Sequence, residues 1–232
     1  MVGEIYSWTT KNGYTVSPLL HGARTSYLIS HNHKHVLVDV GTKNKYQELK
    51  DKLNYCLNGD KLNYLILTHT HFDHVQNTSS IKEDFEPLII VNKKEADDLS
   101  EGKNHLAKGY DLFTKFILLF EHPIFVGYDG VKADILVDKD NFKVDDLNIK
   151  IILTPGHTIG SMSVIVDNEI ALCGDTIFGA FKNSIMPPFV NDRGEIVKSW
   201  EKLVNTPCRM FFPGHGHRVD RQVILNEISK RK

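Results

Sequence analysis

The residues best equipped for chemistry are His69-Thr70-His71-Phe72-Asp73-His74, which place four metal-ligand types within six positions. Imidazole nitrogen together with carboxylate oxygen is the donor set preferred by zinc and neighbouring divalent metals. Three imidazoles and a carboxylate crowded into one tight loop are satisfied only if positive charge sits among them. The competing reading, a solvated loop with chance histidines, fits poorly with a cluster this dense that directly follows the apolar run Leu65-Ile66-Leu67.

Three further apolar runs end in turns that each present one His or Asp. Ile151-Ile152-Leu153-Thr154 leads into Pro155-Gly156-His157, Leu172-Cys173-Gly174 into Asp175, and Met210-Phe211-Phe212 into Pro213-Gly214-His215. Alone, each could be a turn with a capping side chain. If these strand ends share one edge of a layered core, they converge with the first cluster, and five histidines with two aspartates suffice for two metals.

The elements that must position these residues follow from hydrophobic periodicity. Short strands are predicted at Glu4 to Thr9, Tyr14 to Leu20, Thr25 to Ser30 and His35 to Val40, with turns at Asn12-Gly13 and near Asn32. Tyr46, Leu49, Leu53 and Leu57 form a helical stripe that stops near Asn58-Gly59. Tyr64 to Thr68 and Leu88 to Val91 read as buried strands flanking a helix from Asn77 to Phe85, an alternation that points to α/β layers. Lys93 to Leu99 reads as helical, Gly102 to Gly109 as a loop, and Leu112 to Phe120 as a packed helix or lid. Strands return at Asp134 to Val137, Phe142 to Val144, Ile149 to Leu153, Ser161 to Asp167, Glu169 to Cys173 and Met210 to Phe212. Helices are expected at Glu195 to Asn205 and Val219 to Lys230.

Other histidines read differently. His31, His33 and His35 alternate along an extended segment, but Asn32 and Lys34 suggest an exposed hairpin tip and no acid or Cys lies nearby in sequence. His105 and His122 also lack acidic companions and read as surface or packing residues. Cys56, Cys173 and Cys208 are odd in number and far apart, so they form neither a disulfide framework nor a metal clip.

Composition narrows the function classes. A hydrophobic content of 41% supports a proper core, and 28 basic against 29 acidic residues leave a net charge of −1. With no basic arm, neither nucleic acid nor a membrane surface is an expected partner. No apolar stretch reaches the ~20 residues of a membrane span, and Met1 to Thr10 lack a signal-peptide plan, so a cytoplasmic location is expected.

On these residues the chain resembles the metallo-β-lactamase superfamily. His69, His71, Asp73 and His74 match its His-x-His-x-Asp-His signature, followed in order by His157, Asp175 and His215, and the resemblance runs from about Leu28 to His215. It implies an α/β, four-layer αββα sandwich forming a single domain over residues 1–232. It further implies that His69, His71 and His157 hold one metal, that Asp73, His74 and His215 hold a second, and that Asp175 bridges them. Asp73 and Asp175 would be the catalytic carboxylates. The cofactor would be two divalent ions, zinc first, with iron or manganese as alternatives, and the nucleophile a hydroxide bridging them. Asp39 matches an aspartate that steadies the metal loop in relatives, although a strand-end turn former would look the same.

The expected activity is hydrolysis of a small-molecule ester, thioester or lactone. Asp73 as second-metal ligand, rather than the Cys of some secreted β-lactamases, and the bridging Asp175 both argue against lactam hydrolysis. The alternative is an oxidoreductase on the same scaffold, like the mononuclear-iron persulfide dioxygenases. Only Gly216 to Lys232 follows His215, too little for the helical domain with which glyoxalase II relatives bind glutathione. Simple acyl substrates are therefore expected over glutathione thioesters, selected by walls at Gly102 to Phe120 and Phe178 to Phe189. In that second wall core packing is the better reading for any one aromatic residue. Oligomeric state is left open.

Overall fold

The computed structural model describes residues 5–20, 22, 24–104, 127–182 and 184–231. The expected helix or lid at 112–120, and His105 and His122, lie outside them.

Two sheets form the centre. The first runs in sequence order through β1 (Trp8–Thr9), β2 (Thr15–Pro18), β3 (Tyr27–His31), β4 (Lys34–Val38), β5 (Tyr64–Ile66), β6 (Leu88–Asn92) and β7 (Ile135–Val137). Its first half is the predicted antiparallel meander, while β4 to β7 pair in parallel. The second has the order β13-β12-β11-β10-β9-β8, built from β8 (Phe142–Lys143), β9 (Ile149–Leu153), β10 (Met162–Val166), β11 (Ile170–Gly174), β12 (Met210–Pro213) and β13 (Val219–Asp220).

Strand alternation then dictates the layers. Val36, Val38, Ile66 and Ile90 from the first sheet pack against Ile149, Ile151, Met162, Val164 and Leu172 from the second, forming a core between the sheets. Their neighbours point outward: Leu37, Leu65, Leu67 and Ile89 meet Leu49, Leu53 and Leu57 of α1 (Tyr46–Leu57), Ile81 of α3 (Thr78–Phe85) and Leu99 of α4 (Ala96–Glu101). On the far side Ile152, Ile165, Ala171 and Phe211 meet Ile196, Trp200 and Leu203 of α5 (Arg193–Val204) and Ile224 and Ile228 of α6 (Arg221–Ser229). The order is helix, sheet, sheet, helix. Each fully buried Leu or Ile in these seams contributes about 1.5–3 kcal/mol.

Local signals place the joints. Helix α1 stops where Asn58 turns left-handed (φ 48°), as its Asn-Gly pair predicts. Asn32 and His33 (φ 46° and 60°) form a left-handed pair between β3 and β4, putting His31 to His35 on the expected hairpin. The acid missing from the local sequence arrives through the fold. Asp60, in the loop after α1, lies 2.9 Å from His33 Nδ1 and 3.3 Å from His35 Nε2. At the other end, Val219 and Asp220 are a short strand on β12 and the closing helix starts only at Arg221, later than its periodicity suggested.

Candidate metal centre

Strands β9, β11 and β12 point the same way, because β9 and β11 both run antiparallel to β10 and β12 runs parallel to β11. The turns after them therefore share one edge. The first sheet reaches the same place through the loop after β5, where the Met162 N–H donates to the Thr68 carbonyl at 2.9 Å across the two sheets.

Asp39 prepares this edge. It follows β4, sits beside the end of β5 because the two strands are parallel, and adopts a left-handed conformation (φ 58°). One carboxylate oxygen accepts from Thr68 N at 2.8 Å; the other accepts from Thr68 Oγ1 and His74 Nδ1, each at 2.8 Å. Of its two sequence readings, the steadying one holds. His71 then stands at the N-terminus of the one-turn helix α2 (Phe72–Val75), which carries Asp73 and His74. Val75-Gln76-Asn77 supplies further ties: Asn77 Nδ2 donates to the Val40 and Thr42 carbonyls at 2.8 Å, and Gln76 Oε1 accepts from Lys43 N at 3.1 Å.

Two glycines let the second sheet close in. Gly174 (φ 49°) ends β11 where a Cβ would meet Thr68 Oγ1 at 2.5 Å. At Gly214 a Cβ would meet Asp175 Oδ1 and His74 Cε1, both at 2.6 Å, so only a bare backbone lets His215 approach Asp175.

All seven predicted residues meet in this seam. His69 Nε2, His71 Nδ1 and His157 Nε2 form a triangle with sides of 3.1, 3.2 and 2.8 Å. Donors about 2.0–2.1 Å from a tetrahedral zinc stand roughly 3.3 Å apart, close to this spacing. Asp73 Oδ2 lies 3.4 Å from His215 Nε2, and His74 Nε2 lies 3.4 Å from His215 Nε2. Asp175 joins the halves: Oδ2 is 3.5 Å from His157 Nε2 and 3.2 Å from His215 Nε2, while Oδ1 is 3.3 Å from His74 Nε2.

The electrostatics of the two halves differ. Burial, then the neighbouring imidazoles, pushes His69 well below the usual histidine range and His157 to about 3; burial also lowers His71, against Asp73 and Glu95. These three rings are neutral. Their outer bonds fix the tautomers of two: His157 Nδ1 donates to the Phe189 carbonyl at 2.7 Å, and His69 Nδ1 donates to Thr68 Oγ1 at 3.1 Å, whose own hydrogen goes to Asp39. Bare lone pairs on His69 Nε2 and His157 Nε2 thus face each other at 3.2 Å, and His71 can donate to only one of them. A cation resolves that conflict. In the other half burial pulls His74 and His215 down, but Asp175 and Asp39 lift His74 well above its usual range and Asp175 lifts His215. Burial likewise opposes ionisation of Asp175 and Asp73, yet the same two histidines hold both carboxyls low. Asp175 Oδ1 is buried without a hydrogen-bond partner. The donor set, its spacing and this orphaned oxygen all fit divalent metal.

Sequence reasoning missed two residues here. Arg24 Nε donates to Asp73 Oδ2 at 3.3 Å while its guanidinium lies 5.7 Å from the Phe72 ring centre. Glu95 is buried beneath the histidine loops. Its only sequence signal is an acid four positions before Leu99 on the buried face of a short helix. The second expected wall divides: Ile185 and Met186 are core, whereas the Phe178 ring stands 5.1 Å from that of His215.

A sequence profile of the metallo-beta-lactamase superfamily matches residues 20–215. The chain belongs to the metallo-beta-lactamase superfamily. Superfamily relatives include a "Probable metallo-hydrolase" of Methanocaldococcus jannaschii, 30% identical over 90% of this chain and 93% of that protein. An "Atrochrysone carboxyl ACP thioesterase" of Aspergillus fumigatus is 23% identical over 92% of this chain, which spans only 57% of that longer protein. Among solved structures, the crystal structure of a B3 metallo-beta-lactamase superimposes with a TM-score of 0.69 at 19% identity, covering 92% of this chain and 96% of the other. The relatives place the chain among metal-dependent hydrolases, and the fold is that of the superfamily's solved members. No helix among the described residues is long and apolar enough to cross a membrane.

Proposed function

We propose that the chain is a cytoplasmic metallo-hydrolase, one metallo-β-lactamase-like unit over residues 1–232, that cleaves a small ester, thioester or lactone with two divalent ions, zinc first among them. The observation that carries this reading is the Asp175 carboxylate, placed 3.5 Å from His157 and 3.2 Å from His215, so that it belongs to both donor groups. His69, His71 and His157 would hold one ion, and Asp73, His74 and His215 the other. When bound, the ions would supply an acidified water, its pKa lowered from 15.7 toward about 7, and would polarise the substrate carbonyl.

The remaining work falls to side chains. Asp39 fixes the His74 ring, and the Phe189 carbonyl fixes that of His157, so neither donor has to reorganise during turnover. Asp73 is the more exposed carboxylate, 14% against 8% for the Asp175 side chain, and would take a proton from the attacking water and pass it to the leaving group. Arg24 keeps that carboxylate oriented. The thioesterase and metallo-hydrolase names of two relatives support the reaction class.

A panel of aryl esters, acyl thioesters and lactones, assayed on metal-loaded and chelated protein, tests the proposal. Metal-dependent hydrolysis of at least one class is expected. Oxygen uptake with a persulfide substrate, and hydrolysis of none, would overturn it.

A further inference from the structure

Glu95 is 3% exposed, and its carboxyl gathers two loops that are distant in sequence. Oε2 accepts from Thr70 N at 2.6 Å and from Thr70 Oγ1 at 2.8 Å; Oε1 accepts from Gly160 N at 3.1 Å and from the Thr158 hydroxyl. Thr70 separates His69 from His71, and Thr158 follows His157. One side chain thus holds the segments that carry all three members of the neutral imidazole triangle. Every partner is a backbone N–H or a hydroxyl able to donate, which is the pattern accepted by an ionised carboxylate. Among the described residues no Lys, Arg or His pairs with it. A buried carboxylate without a cation is costly, and neutral donors compensate only part of its charge.

We propose that Glu95 is a positioning residue for the ion held by His69, His71 and His157: it sets the spacing of the two loops and supplies the negative charge that these neutral ligands lack. Across this seam Asp39 and Glu95 divide the task. Asp39 fixes His74 on the Asp73–His74–His215 side and reaches His69 only through Thr68, while Glu95 fixes Thr70 and Thr158 around the three-imidazole side. The close fit explains Gly160, where a Cβ would collide with the Glu95 side chain.

This inference rests on the metal-binding part of the proposed function, and its test reads binding rather than turnover. Metal-free protein is titrated with Co(II) against a chromophoric chelator, for the parent chain, Glu95→Gln, and Glu227→Gln as control. Glu227 is also 3% exposed, but it lies on α6 and pairs with Lys230 and Arg231, so its loss strains the fold away from the seam. Glu95→Gln keeps the shape but turns an amide N–H toward a donor and removes the charge. Affinity for one Co(II) equivalent should fall tenfold to a hundredfold, the range seen when partners of metal ligands are removed. Glu227→Gln should lower the melting temperature and leave Co(II) affinity within about threefold of the parent. Should Glu95→Gln not fold, Thr158→Val, which deletes a single donor, is expected to weaken the same equivalent severalfold. Parent protein that binds Co(II), with Glu95→Gln binding it equally well, overturns the positioning role and leaves the hydrolase reading standing. A parent that binds no Co(II) overturns both.

Discussion

Asp175 is the residue on which the two halves of the centre depend. Replacing it by Asn keeps the size but removes the charge that would offset two cations in the proposed centre, so one of the two proposed ions should weaken by tenfold or more, about 1.4 kcal/mol, while the other loses less. Folding should survive. Metal titration of Asp175→Asn reads this directly, and equal loss of both ions, or unchanged activity, would contradict the joining role. At this scale the sequence was legible: the seven candidate donors stand in strand-end turns, or for Asp73 and His74 on the one-turn helix that follows one, and their residue types mark them. Of the partners that hold the donors, Asp39 was legible, and Glu95 and Arg24 were hidden. Glu95 meets Thr70 and Thr158 from 25 and 63 positions away, and Arg24 meets Asp73 from 49, so no local pattern could couple them.

Two contacts brace the second sheet, one beside the site and one at the opposite edge. On α5, Trp200 is fully buried and its Nε1 donates at 2.6 Å to the carbonyl of Thr176, the residue after Asp175. Trp200→Ala should cost about 3–5 kcal/mol, measured by chemical denaturation; a loss below about 1 kcal/mol would mean that the helix does not anchor this turn. The turn between β10 and β11 is tied to the N-terminal meander by Asp167, which accepts from Asn12 Nδ2 at 2.7 Å and Asn148 Nδ2 at 2.6 Å. Burial opposes its ionisation, but hydrogen bonds from Thr10, Asn12 and Asn148 hold the carboxyl below the usual aspartate range. Because the folded value is depressed, this stabilisation is fully present above the unfolded value near 3.9 and is lost as pH falls through the folded value. Asp167→Asn should therefore be less stable than the parent by about 2 kcal/mol at pH 7, with the gap closing below about pH 4. Denaturant midpoints at both pH values decide it, and a gap independent of pH would rule out the charge as its source. Periodicity found α1 and α5 because their buried stripes are long, whereas the single turn of α2 and the two-residue β13 are set by tertiary contacts and left no such trace.

For the whole molecule, the strand, helix, strand alternation made the α/β layering readable, and near-continuous apolar runs require cover on both faces. The pairing of strands across 20 or more residues was not, and it is this pairing that brings the ends of β5, β9, β11 and β12 to one seam. Two sheets that meet over neutral imidazole lone pairs and paired carboxylates make a centre whose account stands or falls on the number of cations it takes. Elemental analysis of the purified chain measures that number. Two divalent ions per chain, zinc the leading element, is the predicted result. One iron and no second metal, or no metal after exposure to excess zinc, would contradict it.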